Sequence, residues 1–360
     1  MPAKEPEGAD TNWYATMKEF GSDYHYIDSY NGGNVGLSSA FGHATYLADG
    51  RMCMVALIRQ YGWRRLWIPD YFCYEVIETI KKQTGIEVMF YADHPLMEGM
   101  VENLPFREGD VLLRMNFFGL RGVRRNNGIP VPVIEDHSHD PFGPWALCSD
   151  ADWCVCSLRK TMPLPEGGVM WSPKRLSVER SAFEVSEENE KVAGIRWEAM
   201  EMKAAYLAGE DIRKEEFRNK FTETEKWFDS AEPVSMDARS REFVETQFNF
   251  EMWFEAKRNN WMLLNELLNK EYCRVIMPES GSSTMYSLVL LMENREKRDR
   301  IRKRLIERLV YPAILWDLPK TASAGSRDFS ERMLSIHCDG RYSTDEVRQL
   351  ACIMNNTIRG

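Results

Sequence analysis

The chain has 360 residues, 44% of them hydrophobic and 12% aromatic, with a net charge of −9. This composition supports one large core plus a smaller lobe and excludes general disorder. Its Lys and Arg are dispersed, which argues against a nucleic-acid or anionic-membrane protein, since both need a concentrated basic face.

The opening Met1-Pro-Ala-Lys-Glu-Pro-Glu-Gly8 is polar and has no apolar segment of the kind that marks a signal peptide. No run approaches the roughly 18 to 20 apolar residues that span a bilayer. Cys53, Cys148, Cys154, Cys156, Cys338 and Cys352 sit in apolar runs and read as small buried hydrophobes, not as a disulfide framework. A soluble cytoplasmic protein is expected.

Residues 1–45 read as a lead-in. Its turn-rich stretches, Gly21 to Tyr26 and Asn31-Gly-Gly33, are expected to drape over the surface or a partner subunit. Met52 to Gln60 is a helix opened by Gly50, and Arg65 to Ile68 a strand closed by Pro69. Tyr74 to Lys82 has helical spacing. Glu87 to Tyr91, Asp110 to Met115, Ile129 to Ile134, Asp152 to Cys156 and Val169 to Trp171 are further strands. Short apolar strands separated by helices or loops predict an α/β domain over 46–250 with a mostly parallel sheet covered on both faces. From Lys174 to about Lys270 the chain turns helical, with a break between Phe221 and Ser240. Residues 251–360 read as a small α+β lobe. It has strands at Cys273 to Met277, Tyr286 to Met292 and Arg332 to His337, and a basic helix from Arg295 to Leu309. A capping box, Ser343-Thr-Asp-Glu346, opens the last helix.

Chemistry concentrates in Val133-Ile-Glu-Asp-His-Ser-His139, Ser157-Leu-Arg-Lys160 and Glu166-Gly-Gly168. Asp136, Ser157 and Lys160 lie at or just past strand ends, where open α/β sheets place their ligands. A lysine in a cleft can form an imine, and a carboxylate opposite can keep a pyridine nitrogen protonated. Ser157 can donate to a phosphate, and the N–H groups of Arg51 and Met52 behind Gly50 open a helix whose positive end suits an anion. Tyr71 and Phe72, with Tyr74 beyond them, are candidates to cover a ring face. Together these residues predict a site for pyridoxal 5'-phosphate. The rival pattern is a metal site using His137 and His139, which alternate along an extended chain and are flanked by carboxylates. It leaves Lys160 without a role, and no metal is expected.

The set resembles the fold-type-I pyridoxal phosphate enzymes, and within them the DegT/DnrJ/EryC1/StrS sugar aminotransferases. The phosphate turn of that family is similar to Gly50-Arg51-Met52-Cys53-Met54, and its aromatic-bearing Pro segment to Ile68-Pro-Asp-Tyr-Phe-Cys73. Its Glu-Asp-Ala-Ala-His/Gln motif resembles Glu135-Asp136-His137-Ser138-His139, with His137 and Ser138 in place of the two Ala. Its lysine followed by Gly-Glu-Gly-Gly resembles Lys160 to Gly168, although Ser157 to Lys160 is shorter than the usual spacing. The resemblance implies a seven-stranded-type large domain with a small C-terminal α+β domain, and a homodimer. It implies Lys160 as the imine lysine, Asp136 at the pyridine nitrogen and His139 at the ring hydroxyl. Transamination from an amino acid to a keto-sugar nucleotide is the expected reaction. Dehydration, decarboxylation or condensation of an amino acid, or a non-catalytic regulator, are the alternatives. Arg341, from the small lobe, and Asn116, at a strand end, are candidates for substrate contact.

Overall fold

Seven strands of this computed structural model form one sheet, built on five parallel neighbours. The structure describes residues 19–32, 36–179 and 183–359, so the polar opening and Gly33 lie outside the described residues. In chain order the strands are β1 (Phe20–Gly21), β2 (Thr45–Leu47), β3 (Arg65–Pro69), β4 (Glu87–Tyr91), β5 (Asp110–Met115) and β6 (Val133–Asp136). They continue with β7 (Trp153–Ser157), β8 (Gly168–Trp171), β9 (Arg274–Val275), β10 (Leu288–Leu291), β11 (Val310–Tyr311) and β12 (Met333–Ile336). The central order is β2-β8-β7-β6-β5-β3-β4. Strands β7, β6, β5, β3 and β4 are parallel, while β8 runs antiparallel to both β7 and β2.

Every residue of β5, β6 and β7 is buried, as expected of parallel strands covered on both faces. One cover is the helix Gly50–Tyr61, in which Arg51 through Ile58 are all buried. Asp49 caps this helix by accepting the Arg51 N–H at 2.9 Å, and Gly62 ends it with a left-handed φ of 61°.

Strand β6 begins at Val133 rather than Ile129, because Pro130 and Pro132 have no N–H to donate to a ladder. The expected break after Phe221 comes later: the helix Lys214–Phe228 continues because Phe217, Phe221 and Phe228 are all buried. Among the elements additional to the sequence reading are β2 and the helix Ala324–Arg332. Cys148 and Cys352 are exposed, contrary to their apolar setting in sequence, and all eight cysteines are free.

Strands β12, β10 and β9 form an antiparallel sheet, against which the helices Phe250–Leu267 and Thr344–Ile358 help build a further core. The Ser343–Glu346 capping box is present. The turn-rich start is not a loose drape. Strand β1 pairs with β11, Gly21 N–H donates to the Tyr342 hydroxyl at 2.6 Å, and Tyr24 and Ile27 are buried. No helix among the described residues is long and apolar enough to cross a membrane.

Candidate active site

The carboxyl ends of β3, β5, β6 and β7 point the same way, and a cavity opens there. Its empty space is about 820 Å³, including its mouth, and Asp136, Ser138, His139, Ser157 and Lys160 all line it. Asp136 ends β6 and is buried; desolvation raises its pKa, opposed by hydrogen bonding from Ser138. The Ser138 N–H donates to Asp136 Oδ1 at 2.8 Å, and Ser138 Oγ accepts the Ser157 N–H at 2.8 Å. The residue standing where the resembling motif has alanine therefore braces the carboxylate against the neighbouring strand.

His139 accepts the Phe118 N–H on Nδ1 at 2.9 Å, so the neutral ring carries its proton on Nε2. Phe118 turns to a left-handed φ of 55° in presenting that N–H, an unusual conformation for a bulky residue. Tyr286 and Trp316 stack on the His139 ring, with centroids 4.4 and 5.8 Å away. Burial pushes the imidazole down to about 3, with the Lys160 and Lys257 charges adding to the effect, so it is a neutral hydrogen-bond donor.

Lys160 follows β7 on a short 3₁₀ turn, and its side chain is solvent-accessible inside the cavity walls. Desolvation, then the neighbouring Arg159 charge, lowers its pKa below the ordinary lysine value. Toward the helix Gly50–Tyr61, Ser157 Oγ is buried with no hydrogen-bond partner among the described residues. Gly50 is required here, because a Cβ would stand 2.9 Å from Ser157 Cβ and 3.0 Å from its Cα. Asp49 already takes the Arg51 N–H, whereas the Gly50 and Met52 N–H groups donate to no acceptor among the described residues. Arg51 adds its buried guanidinium, hydrogen-bonded to Glu225 at 3.2 Å and paired with Asp229. Arg159 is clamped by Asp49 at 2.9 Å and by Glu225 at 2.7 and 2.8 Å.

A second cavity, about 750 Å³ with its opening, shares Lys160, Arg159 and Tyr286 with the first. Ser22, Asp23, Tyr24, Arg196, His337 and Arg341 face it. Lys160 thus stands between two spaces, one beside Asp136 and one beside the start of the chain.

Several expected residues are placed elsewhere. Tyr71 is fully buried, donates its hydroxyl to the Leu315 carbonyl and packs on Phe117, Trp316 and Phe329, so it is core; Phe72 lines the first cavity. The Met52 side chain is also core. Asn116 borders neither cavity: it is buried, and its Oδ1 accepts the Arg121 N–H at 3.3 Å. Arg341 reaches the second cavity but is held by Asp339 at 2.8 and 3.0 Å and by the carbonyls of Ser22 and Asp23. His137 and His139 do not converge. His137 Nε2 lies 3.1 Å from Glu135 Oε2, with its ring against Trp145 and Trp171. Glu135, His137 and Cys154 bring ligand atoms within 4.8 Å of one another. Asn126 and Ser149 also donate to Glu135 at 2.7 and 2.6 Å, and burial pushes the Cys154 thiol well up, which makes this a hydrogen-bond network. Arg159, Arg196, Glu225, Tyr286 and Trp316 were missed because only the tertiary fold gathers them. Arg159 alone offered a local signal, by adjoining Lys160.

No protein-family model matches the chain, nor does any curated protein sequence. Solved structures do. Spr1654 of Streptococcus pneumoniae, named as a sugar aminotransferase and solved in its PLP form, superposes with a TM-score of 0.63 at 10% identity, covering 95% of this chain and 99% of that one. A DegT DnrJ EryC1 StrS aminotransferase from Brucella abortus gives 0.57 at 15% identity, covering 88% and 86%. The aminotransferase TlmJ from Streptoalloteichus hindustanus gives 0.58 at 11%, covering 89% and 88%. The fold is theirs. Within that aminotransferase fold, the donor set suits pyridoxal phosphate. An uncommitted buried hydroxyl and free first-turn N–H groups lie at one end of the cavity, a buried carboxylate and a neutral histidine elsewhere along it, and a lysine amine between the two spaces.

Proposed function

We propose that the chain is a pyridoxal-phosphate-dependent aminotransferase that moves an amino group from an amino acid to a keto-sugar nucleotide of polysaccharide or natural-product biosynthesis. The observation that carries this reading is that Lys160 and Asp136 line one cavity at the carboxyl edge of the parallel sheet. When bound, the cofactor supplies an electron sink for charge developing at the substrate carbon. Ser157 Oγ, the Arg51 guanidinium and the N–H groups of Gly50 and Met52 would hold its phosphate. Asp136 would sit at the ring nitrogen, where a cationic partner restores the ionisation that burial opposes. His139 would donate from Nε2 to the ring hydroxyl, and Phe72 would cover a ring face. Lys160 Nζ would hold the cofactor covalently and, when free, would move a proton to and from the substrate carbon. Its lowered pKa favours the free amine that both tasks need.

The same reading divides the chain into a lead-in over 1–45, a cofactor domain over 46–250 and a small domain over 251–360, supported by the separate core around β10 and β12. It also includes a homodimer, supported by the exposed apolar Leu96, Met97 and Met100 close together in one loop. Borohydride reduction of the cofactor-loaded protein, followed by peptide mapping, tests the site: modification at Lys160 is expected, and an unmodified Lys160 removes the mechanism. Incubation with single amino donors tests the reaction. Conversion of the bound cofactor to its amine form is expected, and no conversion with any donor leaves the other pyridoxal reactions.

A further inference from the structure

We infer that Arg196, and not Arg341, takes the anionic group of the substrate, a carboxylate, in the cavity on the far side of Lys160 from Asp136. The inference rests on the aminotransferase reading and comes from an inventory of guanidinium N–H bonds, of which each arginine has five.

Arg341 has little left to give. Nε and Nη2 engage the two oxygens of Asp339 at 2.8 and 3.0 Å, and Nη1 donates to the Ser22 and Asp23 carbonyls at 3.2 and 3.1 Å. It pins the start of the chain to the small lobe. Arg159 is similarly spent, with Nε and Nη2 on Asp49 and both Nη atoms on Glu225. Arg196 differs. Its Nε donates to the Pro165 carbonyl at 2.6 Å, and Nη1 is shared among Phe221 O, Thr224 Oγ1 and Glu225 Oε2 at 3.2 to 3.4 Å. Nη2 donates to nothing among the described residues, and Arg196 borders the cavity. Its two N–H bonds are therefore available to a group in the cavity that Arg196 lines together with Lys160.

The residue is nonetheless held firmly. Arg196 is 5% exposed on the helix Glu187–Leu207, and its guanidinium lies against Phe221 and Phe228 at 5.3 and 5.4 Å. Its nearest carboxylate, Glu225, is already held two-fold by Arg159 at shorter distances. Desolvation, then the Arg159 charge, lowers its pKa to about 10, against the opposing charges of Glu225, Asp23 and Asp49. The two free N–H bonds of Nη2 suit the oxygens of a carboxylate, the anion that an amino-acid donor carries, and the Pro165 anchor places them beside the Pro165-Glu-Gly-Gly168 turn that follows Lys160.

The test titrates cofactor-loaded protein with succinate, an unreactive dicarboxylate, and follows the visible absorbance of the bound cofactor. Arg196→Gln is expected to weaken succinate binding by about ten- to a hundred-fold, the range for a lost charged hydrogen bond. Arg196→Lys keeps the cation but loses the planar Nη2 donor held by the Pro165 and Thr224 anchors, and is expected to bind several-fold more weakly than the parent; it serves as the test should Arg196→Gln not fold. Arg341→Lys is expected to lower thermal stability while leaving the succinate constant within about two-fold. Unchanged succinate binding in the Arg196 variants overturns the inference, as does a parent protein that ignores succinate. Inorganic phosphate binding more tightly than succinate, with the same dependence on Arg196, overturns the carboxylate assignment. A parent that never acquires the cofactor's visible band removes the aminotransferase reading itself, and this inference with it.

Discussion

The Ser157 main-chain N–H donates to Ser138 Oγ at 2.8 Å, which ties the end of β7 to the loop leaving β6. Because Ser138 also donates its own N–H to Asp136, a single hydroxyl spaces the carboxylate from the strand that leads to Lys160. Ser138→Ala leaves the Ser157 N–H without its acceptor, at a cost of about 1–3 kcal/mol. Lower thermal stability and weaker cofactor retention are expected together; a fall in stability with unchanged retention would separate the brace from the site.

Gly50→Ala should be poorly tolerated. The added Cβ meets the backbone and Cβ of Ser157 at 2.9 to 3.0 Å, so either the helix start or the end of β7 has to shift. A loss of roughly 1–3 kcal/mol is expected from overpacking. Chemical denaturation should show it as a lower midpoint, accompanied by a larger cofactor dissociation constant than surface substitutions produce.

Asp136→Asn preserves shape and removes charge. The amide cannot stabilise a protonated ring nitrogen, so the half-reaction with an amino donor should slow about a hundred-fold or more. Single-turnover rates measured at saturating cofactor check this, and a rate within a few-fold of the parent would take Asp136 out of its role.

Two buried groups set opposite slopes of stability against pH. Burial lowers His337 to about 4, so between pH ~6.5 and about 4 the unfolded chain binds a proton that the folded chain refuses. Stability contributed by the neutral ring is therefore lost as the pH falls through that window, with His139 acting in the same sense. Glu166 is raised to about 8 by burial, so the folded chain keeps a proton that the unfolded chain has released above pH ~4.5. Stability falls as the pH rises from there toward 8. Glu166→Gln should flatten the alkaline side of a stability–pH curve, and a curve of unchanged shape would contradict the assignment.

What the sequence made legible followed from local rules. Glu87 to Tyr91 and Asp110 to Met115 are strands with the expected bounds, because each is a short apolar run closed by a turn or loop. Asp136, Ser157 and Lys160 stood out because each lies at or just past the end of a strand of that kind, and all three line one cavity. Strand β2 escaped notice because its three residues, Thr45–Leu47, are held by pairing with β8 and carry no periodic signal. The helix Ala324–Arg332 is mostly small and polar, and is stabilised by the Ser323 cap and by Ser326 donating to Asp70 at 2.6 Å. Tyr71 and Phe72 could not be told apart in sequence; only packing sends one into the core and the other to the cavity wall. Arg196 and Glu225 come from helices far along the chain, and no local pattern links them to Lys160.

The close approach of Asp49, Gly50, Ser157 and Gly168 also bears on the order of assembly. A Cβ on Gly168 would stand 2.3 Å from the Asp49 carbonyl, so the Asp49-Gly50 helix start and the paired ends of β7 and β8, more than a hundred residues further along, meet with no slack. Such a junction cannot exist in a partly collapsed chain, because the long loop between its two parts has to close before it forms. The proposed phosphate end is thus among the last features to mature. The apo protein should refold at a rate independent of added cofactor, and cofactor should mainly slow the unfolding step.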